Sequence, residues 1–124
     1  LKEKIRVGEA FRKIFKMNSK WKLQQIAKDT VPAYWLNSIL FENTNKNLIR
    51  LLGNDLMSKG IEVRSGFWPL SDMAAFNSQV YGLQSNGSFL YDNLLVLPSS
   101  GFLKEKDINY IYNTICNFTK SKGF

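Results

Sequence analysis

The sequence predicts an α+β domain in which a small mixed or antiparallel sheet packs against helices. Three segments carry apolar residues at helical spacing, and short apolar runs typical of strands lie between them. The length of 124 residues leaves room for one domain with one core. We therefore expect a single domain over residues 1–124.

The first predicted helix runs from Lys2 to about Met17, where apolar residues recur every three or four positions with cations between them. Apolar and polar residues alternate over residues 20–26, which predicts a short edge strand. Residues 34–41 are aromatic and β-branched and too short for a typical buried helix, so we expect a strand. Because its apolar residues lie on both faces, this strand should be central, with Tyr34 and Trp35 as packing residues.

The second helix is expected to begin at Thr44 or Asn45, whose side chains can accept a hydrogen bond there, and to run through Lys59. Gly60 should end it, because glycine readily adopts the left-handed conformation of a helix end. Gly53 in its interior costs roughly 1 kcal/mol relative to alanine, which tertiary contacts must offset. The expected apolar stripe of this helix is Leu48, Leu51, Leu52 and Leu56.

Apolar and charged residues alternate directly after Gly60. This pattern predicts a strand over residues 61–64, with Ile61 and Val63 on one face. Residues 65–70 should be irregular and residues 72–76 a helical turn. Between residues 79 and 93 two alternatives remain, a hairpin at Asn86-Gly87 or a short helix over residues 88–94.

A short strand over residues 94–97 and a helix over residues 105–120 complete the predicted order. The apolar face of this last helix should comprise Ile108, Ile111, Ile115 and Phe118. Cys116 beside that face is interpreted as a small, partly buried apolar residue rather than a reactive thiol.

The residue types that the chain lacks restrict its chemistry. It has no histidine and one cysteine, Cys116, which excludes histidine-dependent triads and the common zinc sites within it. No glycine-rich phosphate loop is present. These absences argue against a self-sufficient enzyme.

The apolar runs of the chain are too short for a membrane span. A single cysteine and the lack of a signal segment indicate that the protein is in the cytoplasm.

Positive charge is concentrated at one end of the chain. Residues 1–29 hold nine Lys or Arg against three acids, a net charge of +6, whereas the remainder contributes +1. This pattern leaves two alternatives open. The cations either form a solvated helix face, or residues 1–28 make the chain a freestanding basic module that binds nucleic acid or another polyanion.

Several motifs resemble the C-terminal domain of the DegT/DnrJ/EryC1/StrS family of sugar aminotransferases. Gly60-Ile61-Glu62-Val63-Arg64 followed by Phe67-Trp68-Pro69-Leu70 is similar to the family's helix end, Arg-bearing strand and Pro-Leu pair. Ahead of this motif, residues 34–40 are similar to the strand that passes through the family's small domain. After it, Leu94-Leu95-Val96-Leu97-Pro98 is similar to the short strand that ends in Leu-Pro, and the segment from Leu103 to Ile115 to the closing helix. The likeness spans nearly the whole chain, and it favours the helix over the hairpin near Asn86.

The resemblance implies the small domain of a fold-type I pyridoxal phosphate enzyme, normally a homodimer, that aminates a nucleotide-linked keto-sugar. It also implies that this segment binds no cofactor, because the family's catalytic lysine and pyridoxal 5'-phosphate site lie in the preceding large domain. That large domain and the nucleotide-sugar are the implied partners, with no membrane partner and no nucleic acid. Such a segment would be inactive alone.

Four residues are predicted to contact the substrate: Arg64, Phe67, Trp68 and Ser71. The Arg64 guanidinium suits an anionic group, with a surface ion pair to Glu62 as the alternative. Phe67 and Trp68 would line the sugar or base, or else pack against the large domain. Ser71 stands where many members carry histidine, and Lys104 where many carry a Ser or Thr helix cap.

The chain has 17 aromatic residues, more than a small two-layer domain needs. We therefore expect several aromatic rings to stay uncovered in this chain alone.

Overall fold

Helices and short strands alternate along residues 1–76 and 85–124, the part of the chain that a computed structural model describes. The elements follow the order that the spacing of apolar residues predicts. They are α1 (Lys2–Phe15), β1 (Lys22–Leu23), β2 (Asn37–Leu40), α2 (Lys46–Ser58), β3 (Arg64–Ser65), a 3-10 turn (Leu70–Asp72), α3 (Ser85–Asn93), β4 (Leu94–Leu97) and α4 (Glu105–Lys122).

The four strands form one antiparallel sheet in the order β1-β2-β4-β3. Ile39 of β2 stands opposite Leu23 on one side and Leu95 on the other, so β2 is central, as predicted. On the outer strand β3, Arg64 stands opposite Val96. The α+β class and the edge position of β1 are therefore confirmed.

The core lies where α1, α2 and α4 cover one face of the sheet. α4 contacts both α1 and α2. Side chains from all three helices are fully buried there with Ile39 of the sheet, and each contributes roughly 1.5–3 kcal/mol by leaving water. The largest of them are Phe15, Leu52, Leu56, Ile108 and Ile115.

Local capping signals are confirmed at both ends of α2. The Asn45 side chain accepts hydrogen bonds from the backbone nitrogens of Asn47 and Leu48, at 3.0 and 3.2 Å. Gly60 adopts a φ of 76°, which an L side chain rarely accepts. In α4, where Lys104 supplies no acceptor, the Asp107 carboxylate accepts from the Lys104 backbone nitrogen at 2.9 Å.

Two strand boundaries were predicted incorrectly. β2 begins at Asn37 rather than Tyr34, because Tyr34 has a φ of 47° that no strand accommodates. β3 pairs only at Arg64 and Ser65, although Ile61 and Val63 are buried as the alternation indicated.

The helical elements need smaller corrections. Leu51 is exposed and Ile49 is buried in its place on α2. The predicted turn over residues 72–76 begins earlier, as the 3-10 turn, and α4 continues to Lys122 before Gly123 ends it.

The Asn86-Gly87 alternative is decided in favour of helix, since both residues lie in α3. The segment 79–84 of that prediction lies outside the described residues. Cys116 is partly buried beside the core, as expected. Across the described ranges, the helices are too short or too polar to cross a bilayer.

Candidate functional site

The connection between β1 and β2, residues 24–36, forms one wall of a groove of about 470 Å³. Three contacts hold it in place. The Arg12 guanidinium donates to the Gln24 carbonyl at 2.7 Å, and the Ser99 hydroxyl donates to the Trp35 carbonyl at 2.9 Å. The Tyr34 ring lies directly over Gly8, where no side chain separates it from α1. A long loop is thereby fixed against the helix and the strand end.

Two aromatic rings stand exposed at this groove. Trp35 and Phe67 both line it, with ring centroids 6.4 Å apart, and their side chains are 71% and 72% exposed. Trp68, next to Phe67, is 54% exposed and packs against Tyr91 at 5.2 Å. We call Trp35 and Phe67 the aromatic surface. It confirms that rings remain uncovered in this chain, and it corrects the prediction that Trp35 is a packing residue.

Arg64 lies at a different groove, also of about 470 Å³, between α2, β3 and α3. Its guanidinium contacts the Glu62 carboxylate at 2.9 Å, which is the alternative that the sequence left open. Both side chains are more than two thirds exposed, so this pair contributes little and the guanidinium can exchange partners. Lys46 and Arg50 of α2 line the same groove.

Ser71 is half-buried in the 3-10 turn, where its hydroxyl donates to the Asp72 carboxylate at 3.0 Å. Neither Ser71 nor Trp68 lines either groove. The four predicted substrate residues therefore follow one another along residues 64–71, but this chain does not bring them together in one pocket.

Sequence reasoning did not select Lys46 and Arg50. Their four-residue spacing on a predicted helix places them on one helical face, and this spacing is the one sequence pattern that could have indicated a pair of cations. Their proximity to Arg64 depends on how α2 packs beside β3, and no local pattern carries that information.

The described residues do not fit a pyridoxal phosphate site. Such a site requires a lysine enclosed with the cofactor, whereas every lysine here is exposed except Lys4. Lys4 is half-buried and donates to the Ser99 carbonyl, which engages its ammonium. Among the described residues, no three acids or cysteines gather to hold a metal ion either.

Several cations of the basic α1 hold loops of this same chain. Besides Lys4 and Arg12, Arg6 donates to the carbonyls of Gly101 and Leu103 at 2.9 and 3.0 Å and pairs with Glu3 at 2.8 Å. These contacts fasten the loop after β4 to α1. They account for part of the positive charge without any external polyanion.

Comparison with protein-family models finds no match, and comparison with curated proteins by sequence finds none. Solved structures do match. PseC of Helicobacter pylori, an aminotransferase involved in the biosynthesis of pseudoaminic acid, superposes with a TM-score of 0.82 and 16% identity over 97% of this chain and 33% of its own. The aminotransferase TlmJ of Streptoalloteichus hindustanus gives 0.83 and 10% over 99% and 32%. A DegT DnrJ EryC1 StrS aminotransferase of Brucella abortus gives 0.76 and 22% over 94% and 30%.

The superposition covers almost the whole of this chain but only about a third of each neighbour. The resemblance seen in the motifs around Arg64 and Leu94 is thus confirmed at the level of the fold. The chain therefore has the fold of a segment that makes up about one third of the length of each of these aminotransferases.

Proposed function

We propose that residues 1–124 are the small C-terminal domain of a pyridoxal phosphate-dependent aminotransferase in the cytoplasm. The full-length enzyme would transfer an amino group to a nucleotide-linked keto-sugar in amino-sugar biosynthesis. The observation that carries this proposal is the superposition on PseC over 97% of this chain but 33% of that enzyme. The cofactor and the catalytic lysine would belong to a large domain of the same polypeptide, so the segment alone would be inactive.

The aromatic surface supports the proposal that a large domain docks against this chain. Exposed aromatic side chains grouped on one surface are typical of an interaction site rather than of a monomer's free surface. Trp35 and Phe67 together offer such a site beside an open groove. We propose that the large domain packs over Trp35 and leaves Phe67 beside the cleft between the domains, and that the full-length enzyme is a homodimer.

The substrate would be held at the cleft between the two domains. Arg64 would bind an anionic group of the nucleotide-sugar through its planar guanidinium. Phe67 and Trp68 would lie against the sugar or base, and Ser71 would donate a hydrogen bond from the position where many relatives carry histidine. Because Arg64 and Phe67 line separate grooves, a ligand would have to extend along residues 64–71 to contact all four.

The test is to express the natural polypeptide that contains this segment, together with the 124-residue chain as its matched control. We expect the longer protein to bind pyridoxal phosphate with visible aldimine absorbance and to aminate a nucleotide-linked keto-sugar from glutamate. The 124-residue chain should do neither. Amino transfer by the short chain, or none by the longer protein with a panel of such sugars, would overturn the proposal.

The polyanion-binding alternative makes a different prediction. A module using residues 1–28 should bind RNA or DNA tightly, with an affinity that falls steeply as salt rises. The engagement of Lys4, Arg6 and Arg12 with this chain's own carbonyls weighs against it. A filter-binding titration with tight, salt-sensitive association would decide for that alternative.

A further inference from the structure

The groove beside Arg64 has the composition of an anion site. It is an open groove bounded by α2, β3 and α3, and its volume of about 470 Å³ is within the range of small-molecule sites. Three cations line it, Lys46, Arg50 and Arg64, and Asp92 is the one acid among its described lining residues. The lining therefore carries a net charge of +2.

These cations remain available to a ligand. Lys46 and Arg50 are one turn apart on α2 and project from the same face. Within residues 1–76 and 85–124, neither has an acidic side chain at ion-pairing distance. Arg64 has only its exposed contact with Glu62. Guanidinium groups bind phosphate oxygens with two parallel hydrogen bonds, so two arginines suit a phosphorylated ligand.

Gly53 supplies an independent observation. It lies in the interior of α2 and lines the same groove. A Cβ built there would meet one atom within 4 Å, Cγ2 of Val63 at 3.8 Å, which is ordinary contact. Packing of the fold therefore does not require glycine, although glycine weakens a helix interior. Because Gly53 lines the groove, a methyl group at this position would take up space in it.

We propose that this groove binds a diphosphate, with Arg50, Arg64 and Lys46 as its cationic ligands and Gly53 leaving room for it. The inference rests on the proposed function only for the natural ligand, which would be the diphosphate of the nucleotide-sugar. Arg50 and Lys46 then join Arg64 as residues that select a phosphorylated sugar over a free one.

The test is a titration of the isotopically labelled 124-residue chain with inorganic pyrophosphate at low salt, followed by NMR. The largest shifts should fall on the amides around Arg50 and Gly53. Arg50→Gln should weaken binding at least about fivefold. Lys13→Gln removes an exposed cation of α1 and is the matched control, with unchanged affinity. Shifts centred on α1, or equal losses in both variants, would overturn the proposal.

Gly53→Ala separates a ligand role from a structural one. It should raise the melting temperature of the chain while weakening pyrophosphate binding at least about threefold, because the methyl group occupies ligand space. Unchanged binding in a stabilised variant would count against the site.

The longer polypeptide distinguishes this inference from the proposed function. If that protein transfers amino groups but Arg50→Gln leaves its KM for the nucleotide-sugar unchanged, the groove proposal fails and the proposed function stands. If the 124-residue chain binds pyrophosphate through Arg50 but the longer protein transfers no amino group, the groove proposal stands and the proposed function fails.

Discussion

The ring of Tyr34 occupies the space where Gly8 of α1 would carry a side chain. A Cβ at Gly8 would lie 2.0 Å from the ring's Cγ, which no structure tolerates. Tyr34 itself has a left-handed φ of 47°, a conformation that costs a non-glycine residue roughly 1–3 kcal/mol. This contact joins the loop of residues 24–36 to the first helix and so positions Trp35 at the groove.

Gly8→Ala should therefore destabilise the chain even though alanine favours helices. The methyl group would displace Tyr34, and overpacking of this kind costs about 1–3 kcal/mol. Urea denaturation followed by circular dichroism measures the change. A variant as stable as the parent would show that the ring moves aside freely.

Gly53→Ala, the matched substitution in α2, should have the opposite sign. The new Cβ makes only an ordinary contact with Val63, so the helix gains up to about 1 kcal/mol of stability. The same urea experiment checks it, and a loss of stability would mean that α2 needs its glycine for packing.

Exposed and buried tryptophans should differ sharply. Trp35→Ala should change the free energy of unfolding of this chain by less than about 0.5 kcal/mol, because the side chain lies mainly in solvent. Trp21→Ala removes a buried ring packed against Phe15 and Tyr112 and should cost about 3–5 kcal/mol.

In the longer polypeptide, Trp35→Ala should instead lower stability or activity, since the large domain is proposed to cover that ring. An effect of equal size in both proteins would contradict the docking of a large domain on the aromatic surface. Thermal melts of the two proteins side by side provide the measurement.

The stability of the fold should fall at alkaline pH through Tyr112. Burial among Phe15 and Trp21, and then the neighbouring Cys116 thiol, raise the pKa of Tyr112 above its ordinary value of 10.0. The folded state thus favours the neutral phenol. Its contribution to stability is complete below the unfolded pKa of about 10 and is lost as pH rises through the raised folded value.

Tyr112→Phe should accordingly lose less stability than the parent between pH 8 and about 10.5, since phenylalanine has no proton to release. Urea midpoints at the two pH values give the comparison. Equal losses in both proteins would show that another group controls the alkaline transition.

Much of the fold could be predicted because its signals are local. The order of elements follows from apolar spacing, the start of α2 from the Asn45 side chain, and its end from the backbone freedom of Gly60. Each signal acts within a few residues, so neighbours along the chain suffice to determine it.

The site depends on contacts between distant residues. Arg12 meets Gln24, Gly8 meets Tyr34, and α2 packs so that Arg50 and Arg64 line one groove. Sequence alone predicted an α+β domain, several uncovered aromatic rings and a candidate stretch over residues 64–71. Only the tertiary structure decided that Trp35 is exposed and that Arg64 and Phe67 line separate grooves, because burial and convergence depend on which elements pack side by side rather than on periodicity.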